Sequence, residues 1–236
     1  MQLLPGQAGV YRWPVFSSKV QAACSGREYP QSRYSDFLDA AGFHGNVFVQ
    51  VKQVHGSRIL TVTSASLPAP ETEADGLFTA EAGIVLGIRT ADCLPLFFEA
   101  AAGVPVIGVV HAGWRGLDAG IIEEAVIMLE RDFAVAPSQV RVAIGPAIRG
   151  CCYEVGPEFE AFFPLTYCCK KTDNSRGTVD LAREAASILK REGVPETAVF
   201  DSGICTSCHS DQFFSYRVER STPERILSVV MLSKAV

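Results

Sequence analysis

Three residues of the types that bind zinc stand at the ends of strand-like runs in this chain. His55, Cys93 and His111 each follow a run rich in β-branched and apolar residues, which is typical of strands within a sheet. Two imidazoles and a thiolate can hold zinc and leave one coordination position open. Their wide separation excludes a zinc finger, whose ligands come in close pairs. The sequence therefore predicts a metal site assembled from separate strands. The three runs cover residues 47–54, 84–90 and 104–110.

Asp92 directly precedes Cys93 and places a carboxylate beside the predicted site. Such a carboxylate is expected either to support an imidazole ligand or to act as a general acid or base. A turn-capping role explains the same position equally well, because aspartate side chains often bond to nearby backbone. Cys93 beside a histidine also allows a different chemistry, in which the thiolate is a nucleophile.

The remaining cysteines give weaker signals. Cys205, Cys208 and His209 match the pattern of covalent haem attachment, but that chemistry requires export and the N-terminus is a poor signal peptide, so no haem is expected. A redox or zinc role for the C-x-x-C pair is a better interpretation than haem attachment. A chance match to the pattern is a better interpretation than either. Two adjacent cysteine pairs are assigned no chemistry: Cys151–Cys152 and Cys168–Cys169.

Composition restricts the classes of function. Of 236 residues, 48% are hydrophobic, enough for a packed core. The net charge of −5 and the pI near 5.4 argue against a nucleic-acid partner or an anionic membrane surface. No apolar run is long enough to span a membrane. A cytoplasmic location is expected, where the eight cysteines stay mainly reduced.

The pattern of predicted elements favours an α+β fold with α/β-type layers. We expect a single domain over residues 1–236, with a mixed β-sheet and helices packed on it. The predicted helices cover residues 33–41, 120–131, 157–163 and 180–193. The other predicted strands cover residues 9–13, 58–62, 94–99, 140–144, 213–217 and 225–232.

Three motifs make the chain resemble the YfiH-like family. They are Lys52–Gly56 (KQVHG), Thr90–Pro95 (TADCLP) and His111–Gly116 (HAGWRG). The likeness continues through the stretches AIGP, CYEVG and FFSYR and covers the chain from about Arg33 to the end. This family has also been called laccase-domain, polyphenol oxidase and peptidoglycan editing factor.

The resemblance implies a zinc-dependent purine nucleoside phosphorylase with adenosine deaminase activity. The implied partners are a nucleoside and phosphate, and the implied metal ligands are His55, Cys93 and His111. Phosphate requires a nearby cation, for which Arg33 and Arg115 are the candidates. Gln53 lies beside the first ligand and is a further candidate for substrate binding.

Two departures from the family pattern affect the substrate side. The N-terminal Gly-Gly-Val-Ser and Asn-Leu-Gly segments are missing, with residues 17–24 in their place, and Leu117 stands where a threonine is usual. Weak turnover or a changed nucleoside preference is therefore expected.

Three alternatives stay open at this point. Copper-dependent phenol oxidation follows from the older family name and from the affinity of imidazole and thiolate for copper. A multicopper cluster needs more imidazoles than the four histidines supply. A Cys–His hydrolase and a non-catalytic metal domain are the other two, and the oligomeric state is left open.

Overall fold

Two six-stranded sheets and a small third sheet form the β-structure of this α+β domain. The computed structural model describes residues 4–5, 9–102, 104–164, 166, 168–169 and 176–233. The strands are β1 (Leu4–Pro5), β2 (Val10–Arg12), β3 (Val20–Ser25), β4 (Val47–Val49), β5 (Ile59–Thr61), β6 (Gly76–Thr79), β7 (Ile84–Thr90), β8 (Leu94–Ala102), β9 (Val104–Ala112), β10 (Val140–Ile144), β11 (Glu154–Val155), β12 (Cys168–Cys169), β13 (Gly177–Thr178), β14 (Val199–Asp201) and β15 (Ile226–Leu232).

Five α-helices accompany these strands within the described residues. They are α1 (Tyr34–Ala40), α2 (Trp114–Asp118), α3 (Ile121–Phe133), α4 (Phe159–Phe162) and α5 (Leu181–Arg191). None of the helices in this part of the chain combines the length and the apolar character needed to cross a membrane.

Both large sheets mix parallel and antiparallel pairs. The first has the order β1-β2-β3-β15-β7-β4, and only β4 runs parallel to its neighbour β7. The second has the order β14-β10-β8-β9-β6-β5, with parallel pairs at both edges. The chain passes from the first sheet to the second between β7 and β8, within three residues. The predicted α+β fold with a mixed β-sheet and helices packed on it is confirmed, and the described residues form two such large sheets.

The two sheets pack face to face. Their inner faces share one apolar core, to which β7 contributes Leu86 and β9 contributes Ile107 and Val109. Neighbouring residues of β9 point the other way, into a second core beneath α3 and α5. Because both faces of β9 are covered, its apolar run is almost continuous, as the sequence predicted. Gly108 lies in this strand because a Cβ there would come 2.3 Å from the ring of Phe78.

Helices cover the outer faces of both sheets. On the second sheet, α3 and α5 bury apolar residues such as Ile122 and Ile188. The Asp180 side chain caps α5 by accepting from the backbone N–H groups of Ala182 and Arg183. On the first sheet, α1 buries Phe37. The result is a four-layer arrangement with both sheets in the interior.

Two local predictions were wrong, and one strand was not predicted. The strand predicted over residues 47–54 ends at Val49, and the chain continues without regular structure to the first histidine of the site. Residues 213–217 were predicted as a strand but form bends and turns. Phe213 and Phe214 are both buried without belonging to a sheet. Residues 17–24 were described only as the replacement for two missing family segments. They contain most of strand β3, which pairs with β15.

Candidate metal centre and adjoining cavity

His55, Cys93 and His111 converge from three parts of the fold. His55 lies in the loop between β4 and β5, Cys93 on the crossing from β7 to β8, and His111 in β9. One ligand atom from each lies within 4.8 Å of the others. The two imidazole rings are 4.7 Å apart and nearly perpendicular. These three side chains can therefore approach a single ion together.

Asp75 organises the backbone around His55. Its completely buried carboxylate accepts hydrogen bonds from the backbone N–H groups of Val54, His55 and Gly56, at 2.9 Å for His55. His55 adopts a left-handed backbone conformation with φ of 61°, which is uncommon for a residue with a Cβ. The three bonds to one carboxylate hold the chain in this bend.

The same carboxylate fixes the second imidazole. Nδ1 of His111 lies 2.8 Å from Oδ1 of Asp75, and the backbone N–H of His111 donates to the carbonyl of Asp75. With Nδ1 bound to a carboxylate, Nε2 is the atom that can face a metal. Burial raises the pKa of Asp75, but the hydrogen bonds from His111 and Gly56 outweigh burial and lower it.

The surroundings of Cys93 favour its thiolate form. Burial raises the pKa of Cys93, but the charge and hydrogen bonds of His111 and His55 outweigh it and lower the pKa to about 6. Burial opposes the charge on His111, yet Cys93 and Asp75 raise the pKa of that imidazole to about 9. Gly113 permits the close approach, since a Cβ at that position would come 3.0 Å from Sγ of Cys93.

Asp92 does not contact an imidazole. One carboxylate oxygen accepts from Thr206 Oγ1 at 2.6 Å and the other from the backbone N–H of Arg217 at 2.7 Å. Its backbone φ of 84° turns the chain between the two sheets. In the structure, Asp75 holds the position beside His111 that the sequence analysis considered for Asp92.

A cavity of about 450 Å³ opens beside the three converging residues. Arg89 and Arg225 reach it from β7 and from the loop before β15. Among the described residues, no carboxylate lies within ion-pairing distance of either guanidinium. The lining residues are Gln31, Gln53, His55, Arg89, Thr90, Ala91, Cys93, His111, Tyr216, Pro223 and Arg225.

Gln53 positions one of these arginines. Its side-chain amide donates to the carbonyl of Arg89 and accepts from the N–H of Arg89, both at 2.8 Å. The amide thus bonds to β7 as a neighbouring strand would. Gln53 lines the cavity, as expected for a substrate-side residue, while its polar atoms are bonded to the backbone of Arg89.

The two arginines expected to meet phosphate do not line this cavity. Arg33 donates to Asp36 at 2.8 Å and to the carbonyl of Glu28, and it does not line the cavity. Arg115 is exposed, with its guanidinium 4.3 Å from the ring of Trp114. That ring packs on α4, not against the cavity.

Sequence reasoning missed Asp75, Arg89 and Arg225. Asp75 precedes a glycine, which is a pattern typical of turns, although Gly76 begins β6. Arg89 carried a usable signal, since it ends an apolar strand immediately before the motif that contains Cys93. Arg225 offered no such signal, because its place depends on how the loop before β15 folds back over the site.

The family model for multi-copper polyphenol oxidoreductase laccase matches residues 28–233. The chain belongs to this family. The resemblance inferred from the three motifs is therefore confirmed, although the family description does not by itself fix the metal or the reaction.

Similar proteins in this family carry a different name. The chain is 36% identical over 199 residues to purine nucleoside phosphorylase YlmD of Geobacillus stearothermophilus, covering 78% of this chain and 71% of that protein. It is 34% identical over 218 residues to purine nucleoside phosphorylase YfiH of Escherichia coli, covering 91% and 86%. The crystal structure of the Geobacillus YlmD superposes with a TM-score of 0.90 at 28% identity, over 98% of this chain and 99% of that one.

Proposed function

We propose that this protein is a zinc-dependent purine nucleoside phosphorylase that also deaminates adenosine. The observation that carries the proposal is one cavity, lined by His55, Cys93 and His111 together with Arg89 and Arg225. Neither guanidinium has an ion-pair partner among the described residues, although each donates to neighbouring oxygens. Its volume lies within the range of cavities that bind small molecules. The names of the family relatives support the same activity.

The donor set fits zinc. Two imidazoles and one thiolate leave a coordination position open, as in catalytic zinc sites. Asp75 orients His111 through Nδ1, which is the usual support for a metal-bound histidine. When bound, zinc polarises an oxygen ligand and lowers the pKa of water. His55, Cys93 and His111 are the residues that would hold it.

The arginines provide the anion site of the proposal. Arg89 and Arg225 bring two positive charges to the cavity, and guanidinium groups bind phosphate through paired N–H donors. Gln53 fixes the backbone of Arg89, so that charge is held by β7 rather than by a flexible loop. These residues replace Arg33 and Arg115 as the proposed phosphate ligands.

Phosphorolysis needs little covalent chemistry from the protein. A phosphate oxygen forms a bond to the anomeric carbon of the ribose, and the bond from that carbon to the purine nitrogen breaks. The purine takes a proton, and ribose 1-phosphate remains. Holding phosphate and nucleoside together lowers the entropic part of the barrier. Tyr216 lines the cavity and is 54% exposed, so its ring is available to the base.

Deamination uses the same cavity with water in place of phosphate. Water adds to the purine ring carbon that carries the amino group, and ammonia leaves. The resemblance to the family is the support for this second activity.

Phenol oxidation is the second candidate, because the family description names a polyphenol oxidoreductase. Among the described residues, only two imidazoles enter the site, whereas a multi-copper cluster needs many. A hydrolase that uses the Cys93 thiolate is the third candidate, favoured by its lowered pKa. Oxygen consumption in the presence of phenols and copper would detect the oxidase. Activity that is retained without metal but lost on alkylation of the thiol would detect the hydrolase.

Product chromatography from a nucleoside panel tests the proposal. Zinc-loaded protein should convert adenosine or inosine to free base and ribose 1-phosphate only when phosphate is present. Adenosine alone should yield inosine. Cys93→Ala is the blank, since it should lose the zinc of the cavity and activity together. If folded, zinc-loaded protein gives no product above that blank with any nucleoside of the panel, nucleoside chemistry is excluded.

A further inference from the structure

A second cluster of metal-ligand residues lies outside the cavity. The Sγ atoms of Cys151, Cys152, Cys205 and Cys208 all lie within 4.8 Å of one another, and none of these residues lines the cavity. The cluster joins an adjacent pair that the sequence analysis left without chemistry to the C-x-x-C pair far along the chain. Four cysteines that meet at one point need an explanation beyond chance.

The spacing fits four ligands of one ion. Cys208 Sγ is 3.6 Å from Cys151 Sγ and 3.4 Å from Cys152 Sγ. Zinc–sulfur bonds of about 2.3 Å in a tetrahedron place the sulfurs about 3.8 Å apart. A disulfide would require about 2.05 Å, and the four cysteines are free thiols in the structure. The four cysteine ligands of a [2Fe–2S] or [4Fe–4S] cluster are divided among two or more irons and are not all gathered this closely.

Backbone pairing holds the two cysteine segments together. Ala147 forms a parallel bridge with Cys205, and the N–H of Thr206 donates to the Ala147 carbonyl. Arg149 makes two bonds to the Asp201 carboxylate, at 2.8 and 2.6 Å. These contacts place the cysteine pairs side by side whether or not a metal is present.

The four cysteines differ in burial. Cys205 is buried while Cys151 and Cys208 are exposed. The cluster therefore has an anchored inner ligand and an open side through which an ion can enter.

We propose that Cys151, Cys152, Cys205 and Cys208 bind one zinc ion in a closed, four-thiolate structural site. Four protein ligands leave no position for substrate, so the role is structural. The proposal does not depend on the reaction catalysed in the cavity.

The site would stabilise one wall of that cavity. Thr206 lies between the two cysteines of the C-x-x-C pair, and its hydroxyl donates to Asp92 at 2.6 Å. Asp92 is followed by Cys93, so the loop fixed by the second ion supports the turn that carries a ligand of the first.

Zinc content in variants that separate the two sites tests this proposal. Cys93→Ala, purified anaerobically under reducing conditions, should retain one zinc per chain. Cys93→Ala/Cys208→Ser should lose that zinc. The matched control is Cys93→Ala/Cys24→Ala, which removes a buried cysteine outside both sites and should retain it.

Cobalt binding and thiol counting test the same proposal without the Cys208 variant, in case that variant does not fold. Cobalt added to zinc-free Cys93→Ala should give the intense charge-transfer absorption of tetrahedral thiolate coordination. Folded Cys93→Ala that binds neither zinc nor cobalt with every thiol free would overturn the proposal. Metal-free protein with two fewer titratable thiols before reduction would overturn it in favour of a disulfide.

Discussion

The carboxylate of Asp75 lies 2.8 Å from Nδ1 of His111 and is completely buried. The same carboxylate holds the backbone at His55. One acidic side chain therefore positions two of the three proposed metal ligands.

Asp75→Asn should weaken the metal site more than it perturbs the fold. An asparagine turns an N–H₂ group toward N–H donors and removes the charge that supports His111. We expect zinc affinity to fall about 10–100-fold and the free energy of unfolding to fall by about 1–3 kcal/mol. Chelator competition and urea unfolding measure the two. Exposed Asp118 provides the control Asp118→Asn, and equal zinc affinity in both variants would contradict the role of Asp75.

Arg225→Gln and Arg89→Gln should impair phosphate use. Each variant removes one of the two unpaired charges that line the cavity. Loss of a charge-assisted bond of about 1.5–3 kcal/mol raises KM for phosphate about tenfold or more. Steady-state kinetics at varied phosphate measures the change. Arg33→Gln is the matched control, and a larger effect there would return the phosphate site to Arg33.

Alkylation of metal-free protein should reveal the Cys93 thiolate. With a pKa lowered to about 6, the thiolate predominates above that pH and is lost as the pH falls through it. Iodoacetamide modification of Cys93, followed by peptide mass mapping, should show a midpoint near this value, and zinc should protect the residue. Cys24, whose pKa burial raises to about 12, should stay unmodified. A midpoint near that of a free thiol would show that the imidazoles do not stabilise the charge.

Thr206→Val should separate a structural role for Asp92 from a chemical one. The variant keeps the side-chain shape and removes the 2.6 Å bond to the carboxylate. We expect the free energy of unfolding to fall by about 1.5–3 kcal/mol, with zinc content unchanged. Asp92→Asn gives the converse test. If it lowers kcat about 100-fold or more at unchanged stability, Asp92 acts as a general acid or base.

The sequence identified the proposed ligands because their chemistry is explicit. Histidine and cysteine at the ends of apolar runs are visible without a structure, and the long strands β7 and β9 were correctly predicted from their continuous apolar, β-branched character. Asp75 was not identified, since a carboxylate before glycine has the same local signature in a turn as at the start of a strand. Its function depends on a contact with His111, thirty-six positions away.

Two other failures have the same cause. Aromatic residues at Phe213 and Phe214 favoured a strand, but they enter the core from turns because the loop folds over Asp92. The adjacent pair Cys151–Cys152 had no local partner in the sequence. Its neighbours are supplied by the bridge between Ala147 and Cys205, which only the folded chain reveals.

The short crossing from β7 to β8 has a mechanical consequence. His111 belongs to the second sheet, whereas Cys93 stands where the chain leaves the first. Any sliding of one layer over the other would change the separation of sulfur and imidazole. Metal affinity would then depend on the alignment of the two sheets. A substitution at Val109 that repacks the interior would therefore change metal affinity without contacting the ligands.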